Sequence, residues 1–209
     1  MPTEQFMKLK VDRRNSIIKS ITRQFATKDY QDVSVRDLAD EAGISRGSFY
    51  IYFKDKEDAY ITSIQSYRER LERDLFNIYM KATSIKHVVM EVFDYFTHLS
   101  AFEHSFLEKI SNNMSMEVSD IIATAFDKFG EAIHEYLENY LKNNGVIITP
   151  EIKEQLNLRR EILFSLLIAS LVEMALNRAT LEQAREALEK KIEIVLKGIL
   201  TDCPTDFIK

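Results

Sequence analysis

Arg36, Ser45, Arg46, Gly47, Ser48, Tyr50, Ile51 and Tyr52 gather cationic, hydroxyl and small groups into one short stretch of the chain. Groups of that type neutralise phosphates and hydrogen-bond to base edges, but they do not by themselves make or break bonds. Catalytic constellations are poorly represented elsewhere. Glu131-x-x-His134 has the carboxylate–histidine spacing of di-iron bundles, yet such a site needs the motif twice plus two further carboxylates, and no second copy exists. His134-Glu135 lacks the second histidine of a zinc protease motif, and no phosphate-binding glycine loop or nucleophile elbow is present. One cysteine, Cys203, excludes an internal disulfide and a cysteine zinc site. The expectation is a protein that is not an enzyme and holds no cofactor or metal.

The elements that must position the first group are helices. Ile18, Ile21 and Phe25 recur at helical spacing and predict a helix from Val11 to Thr27, lined by Arg13, Arg14, Lys19 and Arg23. Ser34 is placed to N-cap a short helix with Val35, Leu38, Ala39 and Ala42 inward, and Gly43 ends it. Ser45 is a second N-cap, opening a third helix that carries Phe49, Tyr50 and Phe53. Two short helices around a glycine turn form a helix-turn-helix. Leu38, Ala39, Ala42, Gly43, Ile44, Phe49 and Phe53 supply its inner surface, and the polar group named above is left outside.

The runs Ser34-Val35-Arg36-Asp37-Leu38-Ala39, Ala42-Gly43-Ile44-Ser45, Gly47-Ser48-Phe49-Tyr50, Tyr52-Phe53 and Lys56-Glu57 resemble the N-terminal signature of TetR-type repressors. The resemblance covers about residues 13–60 and departs from the family pattern at Ile21, Asp29 and Ala59. It implies an all-α protein: a three-helix DNA-binding domain with a helix-turn-helix, residues 1–56, followed by a larger helical ligand-binding and dimerisation domain, residues 57–209. It places Tyr50 and Lys56 on DNA phosphates, and Arg36, Arg46, Ser48, Ile51 and Tyr52 on bases or their flanking phosphates. With Ser34, Ser45 and Gly47 these make the expected DNA-binding set. The implied partners are an operator in double-stranded DNA, a second copy of the chain and a small effector whose binding relieves repression.

Composition agrees with that organisation. The chain has 209 residues, 45% hydrophobic and 29% charged, with only 5 Gly and 3 Pro, which suits long helices rather than many tight turns. The net charge of −5 is uneven: residues 1–56 carry 11 Lys+Arg against 8 Asp+Glu, and residues 57–209 carry 17 against 25. A mildly basic first part suits a polyanion. The longest near-apolar run, Ile162 to Val172, is too short for a bilayer, which needs roughly 20 residues. A cytoplasmic protein with no membrane partner is therefore expected.

Beyond residue 56 the periodicity predicts a long helix from Lys56 and further helices over 85–101, 103–112, 117–143, 151–178 and 181–201. The stretch from Ile162 to Val172 is apolar around nearly its whole circumference, and Leu181, Ala184, Leu188, Ile192, Val195 and Ile199 form a stripe. From these the expected dimer interface is Leu163, Leu167, Ser170, Leu171, Leu188, Ile192, Val195 and Ile199. Large adaptable side chains between them suggest a cavity for an apolar or amphipathic ligand, with Tyr67, Met90, Phe93, Phe96, His98, Phe106, Phe126, Phe129, Ser165 and Glu173 as candidate lining. Two rivals remain open at this point: a DNA-bound scaffold of the same fold that senses nothing, and a helical-bundle metal enzyme.

Overall fold

A computed structural model describes residues 2–143, 145 and 147–198, apart from several side chains between 122 and 143 and those of 197 and 198. Among the described residues every regular element is helical: α1 (Glu4–Met7), α2 (Val11–Thr27), a single 3-10 turn (Tyr30–Asp32), α3 (Val35–Glu41), α4 (Arg46–Tyr52), α5 (Lys56–Lys81), α6 (Ile85–Thr97), α7 (Ala101–Asn112), α8 (Met116–Asn143), α9 (Pro150–Ala175) and α10 (Leu181–Gly198). The expected boundary of α6 at 101 moves to Thr97 because Ser100 begins the next helix. Its hydroxyl takes the Glu103 N–H while the Glu103 carboxylate takes the Ser100 N–H, a capping box that starts α7 at Ala101. α1 is absent from the sequence expectations. Thr3 caps it, and Phe6, its one buried residue, anchors it.

The chain forms two compact units that do not follow its linear order. Residues 1–72 and 99–126 make the first, and residues 73–98 and 127–209 the second. α5 and α8 each run from one unit into the other.

In the first unit α2 presents Ile17, Ile21 and Phe25, all buried, at four-residue steps. The same unit buries Leu38, Ala39, Phe49, Phe53, Tyr60 and Ile64, with Phe106 and Ile110 of α7; α2 packs on α3 and α7, and the Phe25 ring meets that of Tyr60. Polar contacts fix α7 on α2: the Ser105 hydroxyl donates to the Ala26 carbonyl, and Lys109 Nζ lies 2.6 Å from Asp29 Oδ1. Arg70 of α5 reaches Glu103 at 2.6 Å.

In the second unit α10 lies along α9 and α6. Buried Val88, Val89, Val92 and Phe93 of α6, Leu163 and Leu167 of α9, and Ala184, Leu188 and Ile192 of α10 form its core. Lys86 is held at 2.7 Å by both Glu189 and Glu193, and Arg185 grips Asp94 with two nitrogens at 3.0 and 3.1 Å. Just past the Leu176 cap of α9, Asn177 has a φ of 53°, in the left-handed region that asparagine tolerates, and the Arg178 N–H closes back onto the Glu173 carbonyl at 2.9 Å.

This packing corrects the expected dimer surface. Leu163, Leu167, Ser170, Leu188 and Ile192 are all buried within the subunit, and Leu171 and Val195 are half-buried. An apolar circumference has no face that sequence alone can assign to the inside. The outward face of α9 carries Leu158, Ile162, Val172 and Leu176, each more than 40% exposed, with Ser165 and Ala169 exposed between them. Ile199 lies outside the described residues.

Candidate nucleic-acid interface

The local sequence builds α4 in three steps. Ser34 starts α3 with a reciprocal cap: its hydroxyl accepts the Asp37 N–H at 3.1 Å, and Asp37 Oδ2 accepts the Ser34 N–H at 3.1 Å and its hydroxyl at 2.8 Å. Those bonds, with Lys28 at 3.4 Å, hold the Asp37 carboxyl below the usual carboxylate range. Gly43 then turns the chain at φ 59°, a conformation that penalises any β-carbon even though open space surrounds it. Ser45 starts α4, accepting the Ser48 N–H at 3.0 Å and sharing a hydrogen with the Ser48 hydroxyl at 2.9 Å.

Phe49 and Phe53, both fully buried with rings 5.3 Å apart, pin α4 to the core. Anchoring on that side leaves Arg46, Gly47, Tyr50 and Ile51 exposed together at helical spacing. Arg46 has no hydrogen-bond or ion-pair partner among the described residues. Tyr50 and Ile51 are 48% and 54% exposed. A β-carbon on Gly47 meets only Ser45 Oγ, at an ordinary 3.7 Å, so the fold does not require glycine there and its effect is a flat outer surface. Arg36 is exposed at the start of α3, with only a loose 3.6 Å pair to Asp40.

Two members of the expected set sit differently. The Lys56 ammonium donates to the Tyr30 carbonyl at 2.8 Å and lies 4.3 Å over the Tyr30 ring, so it is engaged within the protein rather than held out for a phosphate. Tyr52 is half-buried, its ring 5.6 Å from that of Phe6. Phe6 and Thr3 were not among the expected residues, although α1 touches α4 through them: the Thr3 hydroxyl donates to the Ile51 carbonyl at 2.6 Å and the Thr3 N–H to the Tyr52 carbonyl at 3.0 Å. A threonine N-cap followed by an acid was the only signal for α1 in the sequence.

The expected ligand residues are divided between the units. Tyr67 and Phe106 meet edge to face at 5.6 Å in the first, with Arg70 5.0 Å over the tyrosine ring. Met90 and Phe93 are buried in the second, where Phe96 and Glu173 are half-buried. His98 and Ser165 are corrections. Both are exposed and bonded to their own helices, His98 Nδ1 to the Asp94 carbonyl at 2.7 Å and the Ser165 hydroxyl to the Glu161 carbonyl at 2.8 Å. The side chains of Phe126 and Phe129 lie outside the described residues.

Glu131 and His134 line a polar surface cleft of about 350 Å³ with Glu135, Glu138, Lys153, Asn157 and Arg160. Glu138 is its hub, 3.0 Å from Lys142, 3.2 Å from His134 and 3.3 Å from Lys153. Lys142, then Lys153, bring its carboxyl down to about 2. No group of three or more metal-ligating side chains occurs among the described residues.

A short supporting helix, a tight left-handed turn and a second helix with an exposed, cationic outer face define a helix-turn-helix protein of the DNA-binding class. Residues 17–59 match the bacterial regulatory proteins of the tetR family, so the segment that carries α3 and α4 is similar to the amino-terminal part of those regulators. It is 28% identical over 169 residues to the fatty acid metabolism regulator protein of Bacillus subtilis (strain 168), covering 76% of this chain and 81% of that protein. It is 34% identical over 73 residues to the HTH-type transcriptional regulator YuxN of the same organism, where the match covers 35% of this chain and spans only 25% of that protein's length. The fold is similar to that of the transcriptional regulator FadR from Bacillus subtilis in complex with stearoyl-CoA, with a TM-score of 0.61 at 16% identity over 88% of this chain and 98% of that one.

Proposed function

We propose that this chain is a ligand-responsive transcriptional repressor that binds a near-palindromic operator as a homodimer. The observation that carries the reading is the exposed face of α4, with Arg46 unpartnered and Phe49 and Phe53 anchoring the opposite side. In this reading α4 enters the major groove. Arg46 reads a base edge, Ile51 offers an apolar surface to a thymine methyl, and Tyr50, Ser45, Ser48, Ser34 and Arg36 meet phosphates. Lys56 joins them only by leaving Tyr30. Residues 1–56 carry the DNA-binding surface and the rest of the chain carries dimerisation and effector binding.

A single helix-turn-helix binds weakly, and two recognition helices about 34 Å apart match successive turns of one duplex face. The outward face of α9 supports a second copy. Leu158, Ile162, Ser165, Ala169, Val172 and Leu176 follow one another at alternating four- and three-residue steps, the pattern of a helix-pairing seam, with small residues at its centre. An amphipathic acyl thioester is the effector class proposed, in line with the fatty acid regulator and the stearoyl-CoA complex among the similar proteins. An effector that binds the DNA-free arrangement better by about 1–3 kcal/mol lowers operator affinity roughly 5- to 150-fold.

The test is selection of duplexes from a randomised pool by the full-length protein, followed by titration with and without stearoyl-CoA. Enrichment of a two-fold symmetric site, released by stearoyl-CoA, is expected. Failure to enrich any sequence overturns the DNA reading, and an enriched site indifferent to stearoyl-CoA and shorter acyl thioesters overturns the effector reading.

A further inference from the structure

We propose that the amino-terminal arm is part of the DNA-reading unit, with Thr3 and Phe6 as positioning residues for the last turn of α4. The inference rests on the DNA-binding reading of α4 given above. A helix leaves its last carbonyls without partners, and a helix as short as α4 has little cooperativity with which to hold its end. Here the Phe49 carbonyl takes the Phe53 N–H at 2.8 Å, whereas the Ile51 and Tyr52 carbonyls are taken from outside the helix by the hydroxyl and the N–H of Thr3. One hydroxyl therefore serves two helices, since Thr3 Oγ1 also accepts the Phe6 N–H at the start of α1. Phe6 is 1% exposed, with ring centroids 5.6 Å from Tyr52 and 5.0 Å from Phe53, so the same arm fixes the ring that ends α4 and the ring that follows it.

The other end of α4 is held from the same stretch of chain. The Arg13 guanidinium donates to the Gly43 carbonyl at 3.3 Å, in the turn before Ser45, and Arg14 donates to the Met7 carbonyl, tying the arm back to α2. α4 is thus braced at both ends by residues 3–14. The four bracing side chains all precede residue 17, where the family match begins. The consequence of the brace is directional. Tyr50 and Ile51 stand exposed on the turn that Thr3 caps, and loss of the cap loosens their aim without emptying the core beneath Phe49.

The experiment uses the full-length protein and two probes, a duplex enriched by the wild type from a randomised pool and an unrelated duplex of equal length. Thr3→Val keeps the branched shape and the backbone N–H while removing the hydroxyl. It is expected to lose about three- to tenfold in affinity for the enriched duplex. Affinity for the unrelated duplex stays within about twofold, and the thermal midpoint within about 3 °C. Phe6→Ala loses more of the preference, and Phe6→Leu, which refills the site, regains part of it. Retention of wild-type preference by Thr3→Val overturns the proposal, as does a parallel loss on both duplexes in step with a falling midpoint. If the wild type enriches no duplex, the DNA reading itself fails and takes this inference with it.

Discussion

At the scale of single residues, Arg46 and Lys56 show how two cations on neighbouring helices acquire different roles. Arg46 has no partner among the described residues and stands on the open face of α4, so Arg46→Ala is expected to cost about 1–3 kcal/mol on the preferred duplex and to relax preference at one base position. Competition titrations with single-base variants of the site check this, and an unchanged base profile contradicts it. Lys56 is bonded to the Tyr30 carbonyl and covers the Tyr30 ring. Lys56→Ala is therefore expected to lower folding stability by about 1 kcal/mol. The slope of log affinity against log salt should change by clearly less than the ~0.9 units that a lost phosphate contact produces. Urea unfolding and a salt series separate the two. The spacing of Ser45, Phe49 and Phe53 made the Arg46 face legible in sequence. Nothing local to Lys56 announced Tyr30, which is 26 residues away. The departure from the family pattern at Asp29 also gains a reason, since its carboxylate receives Lys109 of α7.

At the scale of elements, helices with explicit caps or clear stripes were legible, and faces of uniform chemistry were not. α2, α3 and α4 begin and end where their apolar spacing, Ser34, Gly43 and Ser45 place them. α9 was found as a helix but turned the wrong way, because apolar residues on every side remove the contrast that periodicity reads; only packing distinguishes buried Leu163 and Leu167 from exposed Ile162 and Val172. Glu131-x-x-His134 was legible as a motif, and the structure makes it one wall of an ion-paired cleft centred on Glu138. That hub predicts a pH dependence. Glu138 has its folded pKa lowered from 4.5 to about 2 by Lys142 and Lys153, so the stability it contributes is present above about pH 4.5 and is lost as pH falls towards 2. Glu138→Gln is expected to flatten the fall in thermal midpoint across that window. Added salt should shrink the wild-type effect, because Lys142 and Lys153 are half exposed. An identical pH profile in Glu138→Gln removes the assignment.

At the scale of the whole molecule, the two faces of α9 give opposite predictions. If α9 pairs two copies as proposed, Val172→Asp on its outward face is expected to leave helix content intact and give a monomer in light scattering where the wild type gives a dimer. Leu167→Asp, buried at 3% exposure, is expected to cost several kcal/mol and unfold the subunit. A dimeric Val172→Asp protein places the interface elsewhere. The division of the chain carries a further consequence, for fragments. The first unit is closed by residues 99–126, so a fragment of residues 1–72 keeps α4 but lacks the α7 surface that packs on α2. An excised amino-terminal fragment is expected to leave Phe25 and its neighbours without their lid, so α4 loses its support when the segment that follows α6 is removed.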